Sequence, residues 1–310
     1  MAPDAQSAPH FGDRLASAVR RRDSAIAVGL DPDPTQLWPG ADTVALGAAA
    51  ADAAADAVTA HCRRVLDAVA PACVAVKLQS ASFERLGAVG IRSREQVADH
   101  ARDLGLLVIL DAKRGDIDVS AQAYAQAAFD GIETPWGPVA GSRSDAVTVA
   151  PYMGGDSIKP FIAAGRPSGG GTYVLVRTSN PGADDLQEQP GESGEPFWSL
   201  TARLVAALGA EAVDGADGLT PVGAVVGATA PERLERLREL MPRTPFLLPG
   251  VGAQGGRVED LAAAFAPGPG AALITASRSI VGAFRQAGGD PADAARRAAE
   301  ELRTTAARLG

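Results

Sequence analysis

Eight short apolar runs punctuate the chain, and each is followed by an amphipathic or Ala-rich stretch long enough for a helix. The runs cover residues 25–30, 73–77, 106–113, 146–150, 172–177, 222–227, 246–249 and 271–275. Runs of this kind, apolar on both faces, are the pattern of strands buried in a parallel sheet. Helical patterns such as 94–104, 199–208 and 229–241 lie between them, the last opening on a capping box of Thr229 and Glu232 with Pro231 in its first turn. Eight βα units in 310 residues, with no central linker, predict a single-domain (β/α)8 barrel (TIM barrel) over 1–310 rather than a doubly wound sheet. An amphipathic helix over 11–22 precedes the barrel. Two insertions stand out: 33–72, with an Ala/Asp-rich helix expected over the outside of the barrel, and 180–196, rich in Gly, Pro, Asp and Glu. The second follows the fifth strand, where a mobile lid over the active face would sit.

A barrel of this kind carries its chemistry at the carboxyl ends of its strands. Those ends are polar here: Asp31, Lys77, Asp111 with Lys113, Pro151 and Tyr152, Thr178 and Ser179, Thr229, Gln254, and Ser277 with Arg278. The charge is densest in 106–117, LLVILDAKRGDI, where an apolar run ends in four charged residues within six positions. Alternation along the strand puts Asp111 and Lys113 on one side, and Gly115 permits a turn that can return Asp116 toward them. A buried ammonium needs partners, and two carboxylates would hold it charged and fixed. The plainer alternative is that Asp116 caps the next helix and Lys113 makes an ordinary ion pair. Composition favours the first, because only three of the 29 Lys and Arg residues are Lys: Lys77, Lys113 and Lys159. Lys can release a proton where Arg cannot, and two of the three lysines close apolar strands.

Residues 250–256, GVGAQGG, match G-x-G-x-x-G, but a dinucleotide site would need further βαβ units and a later acidic residue, and neither follows. In a barrel the loops after strands seven and eight commonly bind phosphate through backbone N–H groups. That use would engage Gly255, with Gln254 as a further donor and Arg278 as a forked cation.

The net charge of −8 argues against nucleic acid or an anionic membrane as a general partner, so an anionic ligand requires a local cationic pocket. Arg20, Arg21 and Arg22 read as a solvated helix face. The opening MAPDAQSAP lacks the features of a signal peptide and no apolar stretch reaches membrane-spanning length, which predicts a cytoplasmic protein. Cys62 and Cys73 have no metal-ligand spacing. His10, His61 and His100 lie away from the strand ends, which weakens triad, zinc and histidine-base readings.

Together, LDAKRGDI, VKLQSASFE, TSNPGA, and PGVGAQGG followed by ASRSI resemble the orotidine 5'-phosphate decarboxylases, in particular their longer bacterial subgroup, from about residue 24 to 284. The resemblance implies a homodimeric (β/α)8 barrel without cofactor or metal that converts orotidine 5'-phosphate to uridine 5'-phosphate, the last step of de novo pyrimidine nucleotide synthesis. It implies that Lys77, Asp111, Lys113 and Asp116 form an alternating charged array with Lys113 as proton donor, and that Asp116 and Ile117 reach into the neighbouring subunit's site. Asp31 would contact the ribose, Ser120 would stand beside it where the family more often has Thr, Ser179 would contact the pyrimidine, and Gln254, Gly255 and Arg278 would grip the phosphate. The alternatives are a magnesium-dependent sugar-phosphate decarboxylase or aldolase of the same superfamily, which shares D-x-K-x-x-D, and a non-catalytic nucleotide-binding barrel.

Overall fold

The computed structural model describes residues 9–41, 49–213, 218–252 and 254–309. Eight parallel strands close into a barrel: β1 (Ile26–Leu30), β2 (Ala75–Gln79), β3 (Leu107–Arg114), β6 (Ala146–Val149), β7 (Gly171–Arg177), β8 (Val222–Val226), β9 (Phe246–Pro249) and β10 (Ala272–Ala276). The remaining two, β4 (Ile132–Thr134) and β5 (Gly137–Val139), form a separate antiparallel hairpin. Each of the eight apolar runs became one barrel strand. The hairpin went unmarked in the sequence, although Pro135 and Gly137 around Trp136 are turn residues.

The two-residue period of the strands stacks the barrel interior in layers. Ala27, Ala75, Ile109, Ala146, Tyr173, Leu247 and Leu273 form an apolar lower layer closed from below by Phe11 and Leu15 of the helix Phe11–Arg22. Phe11 meets Tyr173 edge to face at 5.7 Å, and its ring occupies the space that a side chain at Gly171 would need. Two residues further along, the same strands present Lys77, Asp111, Thr148 and Thr275, so the interior turns polar within one step toward the carboxyl ends. Of the expected solvated trio, Arg20 and Arg21 are exposed, but Arg22 donates to the carbonyls of Ala70, Cys73 and Leu104 and ties the plug to the barrel floor.

The stretch 33–72 supplies the helix Ala50–Val69, which takes the ordinary place of the crossover helix between β1 and β2. Its buried Val58, Cys62, Val65, Leu66 and Val69 pack into the layer between strands and helices. The terminal helix Pro291–Ala306, unmarked in the sequence reading, completes the ring. Asp290 caps it by accepting from the N–H groups of Ala292 and Asp293, with Pro291 at its first position. The capping box expected at Thr229 does not form: the segment starts as a 3-10 turn at Pro231–Arg233 before the helix Leu234–Leu240, and Glu232 pairs with Arg233 instead. Ala230 has φ −131° and ψ 63°, which is not the extended conformation of an N-cap residue.

Arg238 is buried without a carboxylate among the described residues. Its guanidinium donates to the carbonyls of Met241, Thr244, Ala264 and Ala271 and stacks at 3.7 Å on the Phe246 ring, stitching three segments below the barrel. Arg238→Met keeps the apolar stem but strips four carbonyls of a charged donor. The variant should lose about 3–5 kcal/mol in urea unfolding; a loss under 1 kcal/mol would show that water replaces the guanidinium.

Candidate active site

At the carboxyl end of the barrel a cavity of about 520 Å³ opens, lined by residues from seven of the eight barrel strands and from the loops beyond them. Asp111 is its centre. The side chain is 7% exposed, and its donors come from the neighbouring strands β2 and β6 and from Lys113 further along β3 itself. Lys77 Nζ donates to Oδ2 at 2.5 Å and Gln79 Nε2 to the same oxygen at 3.2 Å. Lys113 Nζ donates to Oδ1 at 2.5 Å and Thr148 Oγ1 to that oxygen at 2.9 Å. Burial alone would push the Asp111 carboxyl up, but Lys77 and then Lys113 outweigh it and hold the group down at about 2. The carboxylate is thus ionised and flanked by two ammonium groups.

The two lysines differ. Lys77 is the buried one, at 8% side-chain exposure, and has a second carboxylate, Asp31, at 3.8 Å. Lys113 is 45% exposed and faces the cavity, so the ammonium expected to be buried is in fact the one open to a ligand. Strand alternation alone does not place it. The pairing of β3 with β6 jumps from Leu110–Val147 to Arg114–Val149, and Lys113 sits in this bulge with φ +49°. A left-handed conformation costs a non-glycine residue about 1–2 kcal/mol, and such strain survives only where surrounding contacts impose it.

Of the sequence-predicted site residues, Asp31, Lys77, Asp111, Lys113, Ser179, Gln254 and Arg278 line this cavity together. Arg278 is exposed at its edge, and no carboxylate lies within ion-pair distance of it among the described residues. Close packing explains one small residue here: a side chain at Gly29 would strike Ser277 Oγ at 1.9 Å. Gly255 does not line the cavity. Its N–H bonds the Gly252 carbonyl, and those of Gly252 and Gly256 bond Gly256 and Gly250, so the glycine loop spends these amides on its own turn.

Asp116, Ile117 and Ser120 also lie off the cavity. No ion pair joins Asp116 to Lys113 among the described residues; its carboxylate accepts from the Ile117 N–H at 2.8 Å. The Asp–Lys–Asp cluster therefore does not close within one chain. Sequence reasoning missed Gln79, Thr148, Thr275 and Gln187 in the lining. The signal was there for three of them: Gln79 lies two positions beyond Lys77, Thr275 two before Ser277, and Thr148 interrupts an apolar strand.

The segment 180–196 is folded onto the end of β7. Gln187 accepts from the Thr178 N–H at 2.8 Å and donates to its hydroxyl, and Arg177 holds both Asp184 and Glu188 at 2.7 Å. Arg233 and Trp198 also bind Glu188, at 2.8 and 3.1 Å. Among the described residues no three His, Cys, Asp or Glu side chains converge as a metal site.

The sequence profile of the orotidine 5'-phosphate decarboxylase / HUMPS family matches residues 62–298. The chain belongs to this family. It is 43% identical over 280 residues to an orotidine 5'-phosphate decarboxylase of Rhodopirellula baltica, covering 89% of each chain. The corresponding protein of Deinococcus radiodurans is 40% identical over 286 residues, 90% of this chain and 94% of that one. Among solved structures, Leishmania donovani OMP decarboxylase superposes with a TM-score of 0.69 at 32% identity, covering 97% of this chain and 98% of that chain. Both the barrel and the family expected from the motifs are therefore found.

The coupling of Asp111 to two lysines has a measurable cost and sign. Its carboxyl is held at about 2 against an ordinary 3.8, so the stabilisation is complete above about pH 4 and is lost as pH falls through 2. Asp111→Asn should cost about 2 kcal/mol at pH 7, with the gap to wild type closing between pH 4 and 2 in denaturant titrations. A gap independent of pH would assign the loss to packing instead.

Proposed function

We propose that the chain, as one barrel domain, decarboxylates orotidine 5'-phosphate to uridine 5'-phosphate with Lys113 as the proton donor. The observation that carries this reading is the Lys77–Asp111–Lys113 array, with its one open ammonium aimed into a cavity whose rim holds a free guanidinium. Breaking the bond between C6 and the carboxylate leaves an electron pair in the ring plane, where it cannot spread into the pyrimidine π system. Only localised positive charge stabilises it. Lys113 supplies that charge, favours the carbanion over the ground state, and passes its proton to C6 as the carbon dioxide departs. Asp111 keeps the ammonium in place and Lys77 neutralises Asp111 from the other side. Arg278 and Gln254 take the phosphate; Asp31 meets the ribose and Ser179 the pyrimidine. Remote phosphate binding then supplies the energy for the 180–196 segment to exclude water.

The working unit is a homodimer in which Asp116, Ile117 and Ser120 complete the partner's site. What supports this is that the three sit off their own cavity, beside exposed apolar surface: Ile117 is 47% and Val119 80% exposed, and Tyr152 and Met153 are 77% and 39%. A side chain at Gly115 would meet Ala150 and Met153, so the turn after β3 lies close beside the loop after β6. We place the enzyme in the cytoplasm, since a nucleotide this highly charged does not cross a bilayer unaided; among the described residues no helix is long and apolar enough to span one.

Wild-type protein should deplete orotidine 5'-phosphate absorbance equally with and without a chelator. Lys113→Ala should lose at least about 10²-fold in kcat while still binding uridine 5'-phosphate. More than about a tenth of wild-type kcat remaining would remove Lys113 as the acid.

A mixed dimer tests the shared site. When Lys113→Ala and Asp116→Ala chains reassort, one pocket of each heterodimer collects both defects and the other is intact. Equal mixtures should recover roughly a quarter of wild-type activity from nearly inactive parents. Heterodimers verified by mass spectrometry that stay inactive would confine Asp116 to its own subunit.

A further inference from the structure

Thr148 is the one polar residue in an otherwise apolar strand, and it lies opposite the irregular part of β3. Between the pairs Leu110–Val147 and Arg114–Val149, three residues of β3, Asp111, Ala112 and Lys113, face Thr148 alone. A bulge of this kind removes regular ladder partners, and a side chain must substitute for them. Thr148 Oγ1 accepts from the Lys113 backbone N–H at 3.0 Å and donates to Asp111 Oδ1 at 2.9 Å. The direction of the second bond is forced, because an ionised carboxylate only accepts and a hydroxyl has one proton to give. The residue is 1% exposed and, being β-branched, is restricted at χ1.

From this geometry we propose that Thr148 is a positioning residue for decarboxylation: its hydroxyl fixes the left-handed backbone at Lys113 and the Asp111 carboxylate in one arrangement. The inference rests on the assignment of Lys113 as proton donor. Lys113 has four rotatable side-chain bonds and is half open to the cavity, so its Nζ is located only by where its backbone starts and by the carboxylate it meets. Thr148 holds both of those points at once. Its single proton is spent on Asp111, which leaves none to donate to substrate. The residue therefore acts on the rate and not on affinity.

The test is kinetic, on the full-length protein. Thr148→Val preserves shape and removes the hydroxyl; Thr148→Ser preserves the hydroxyl and removes the methyl. The Val variant should lose about 10- to 100-fold in kcat, the scale of a reacting group displaced by about 1 Å, while KM for orotidine 5'-phosphate and Kd for uridine 5'-phosphate stay within about threefold. The Ser variant should recover to within about threefold of wild-type kcat. Should Val fail to fold, Ser against Thr148→Ala gives the same comparison. Wild-type kcat in Val, a Ser variant as slow as Val or Ala, or a raised KM with unchanged kcat each overturns the proposal. Absence of turnover in the wild type itself would overturn instead the decarboxylase reading on which it stands.

Discussion

One carboxylate organises the active face. Asp111 lies almost out of water, and a lone charge there would be untenable; it is kept ionised because four donors, two on each oxygen, converge from β2, β3 and β6. Each of those donors is fixed in return. Lys77 is neutralised on its inner side, Gln79 is turned inward, and the bulged end of β3 is held in a conformation the backbone alone would avoid. Removing the carboxylate would leave the buried Lys77 ammonium with only the more distant Asp31, at 3.8 Å, so the charge array and the local fold depend on each other.

The barrel provides the contrast this array requires. Its lower layer is apolar and plugged by Phe11 and Leu15, so the polar layer rests on a buried apolar floor. A low-dielectric floor strengthens every interaction immediately above it. The open ammonium of Lys113 then faces the cavity, toward a rim where Arg278 waits without a carboxylate partner among the described residues. The segment after β7 is tied down by Arg177 and Glu188, which bind it to a strand end and, through Trp198 and Arg233, to the two helices that follow.

Much of this was legible in the sequence because it depends on local order. The alternation of apolar runs with helical stretches specified eight strands, since each run is too short for a helix and too apolar for a surface loop. Reading the carboxyl ends of those runs placed Asp31, Lys77, Asp111 and Ser277 at one end of the barrel, and the shortage of lysine singled out two of the three that the chain contains. The motif set identified the family for the same reason: each motif sits at a strand end, where chemistry constrains residue type more tightly than packing does.

Tertiary structure decided what depends on pairing between distant segments. Nothing in LDAKRGDI states that Lys113 adopts a positive φ or that its N–H finds a threonine 35 residues away; register between β3 and β6 creates both. The same holds for which lysine is buried, for Arg22 turning from presumed surface charge into a tie between backbone carbonyls, for the similar tie that Arg238 makes, and for the glycine loop spending its amides on itself. Asp116 is the sharpest case. Its spacing from Lys113 suggested a cluster within one chain, but the turn after β3 carries it away from its own cavity, and only three-dimensional geometry could separate those outcomes. Sequence fixes which groups are available and their periodicity along an element. The field each group experiences is set by neighbours that only folding brings together.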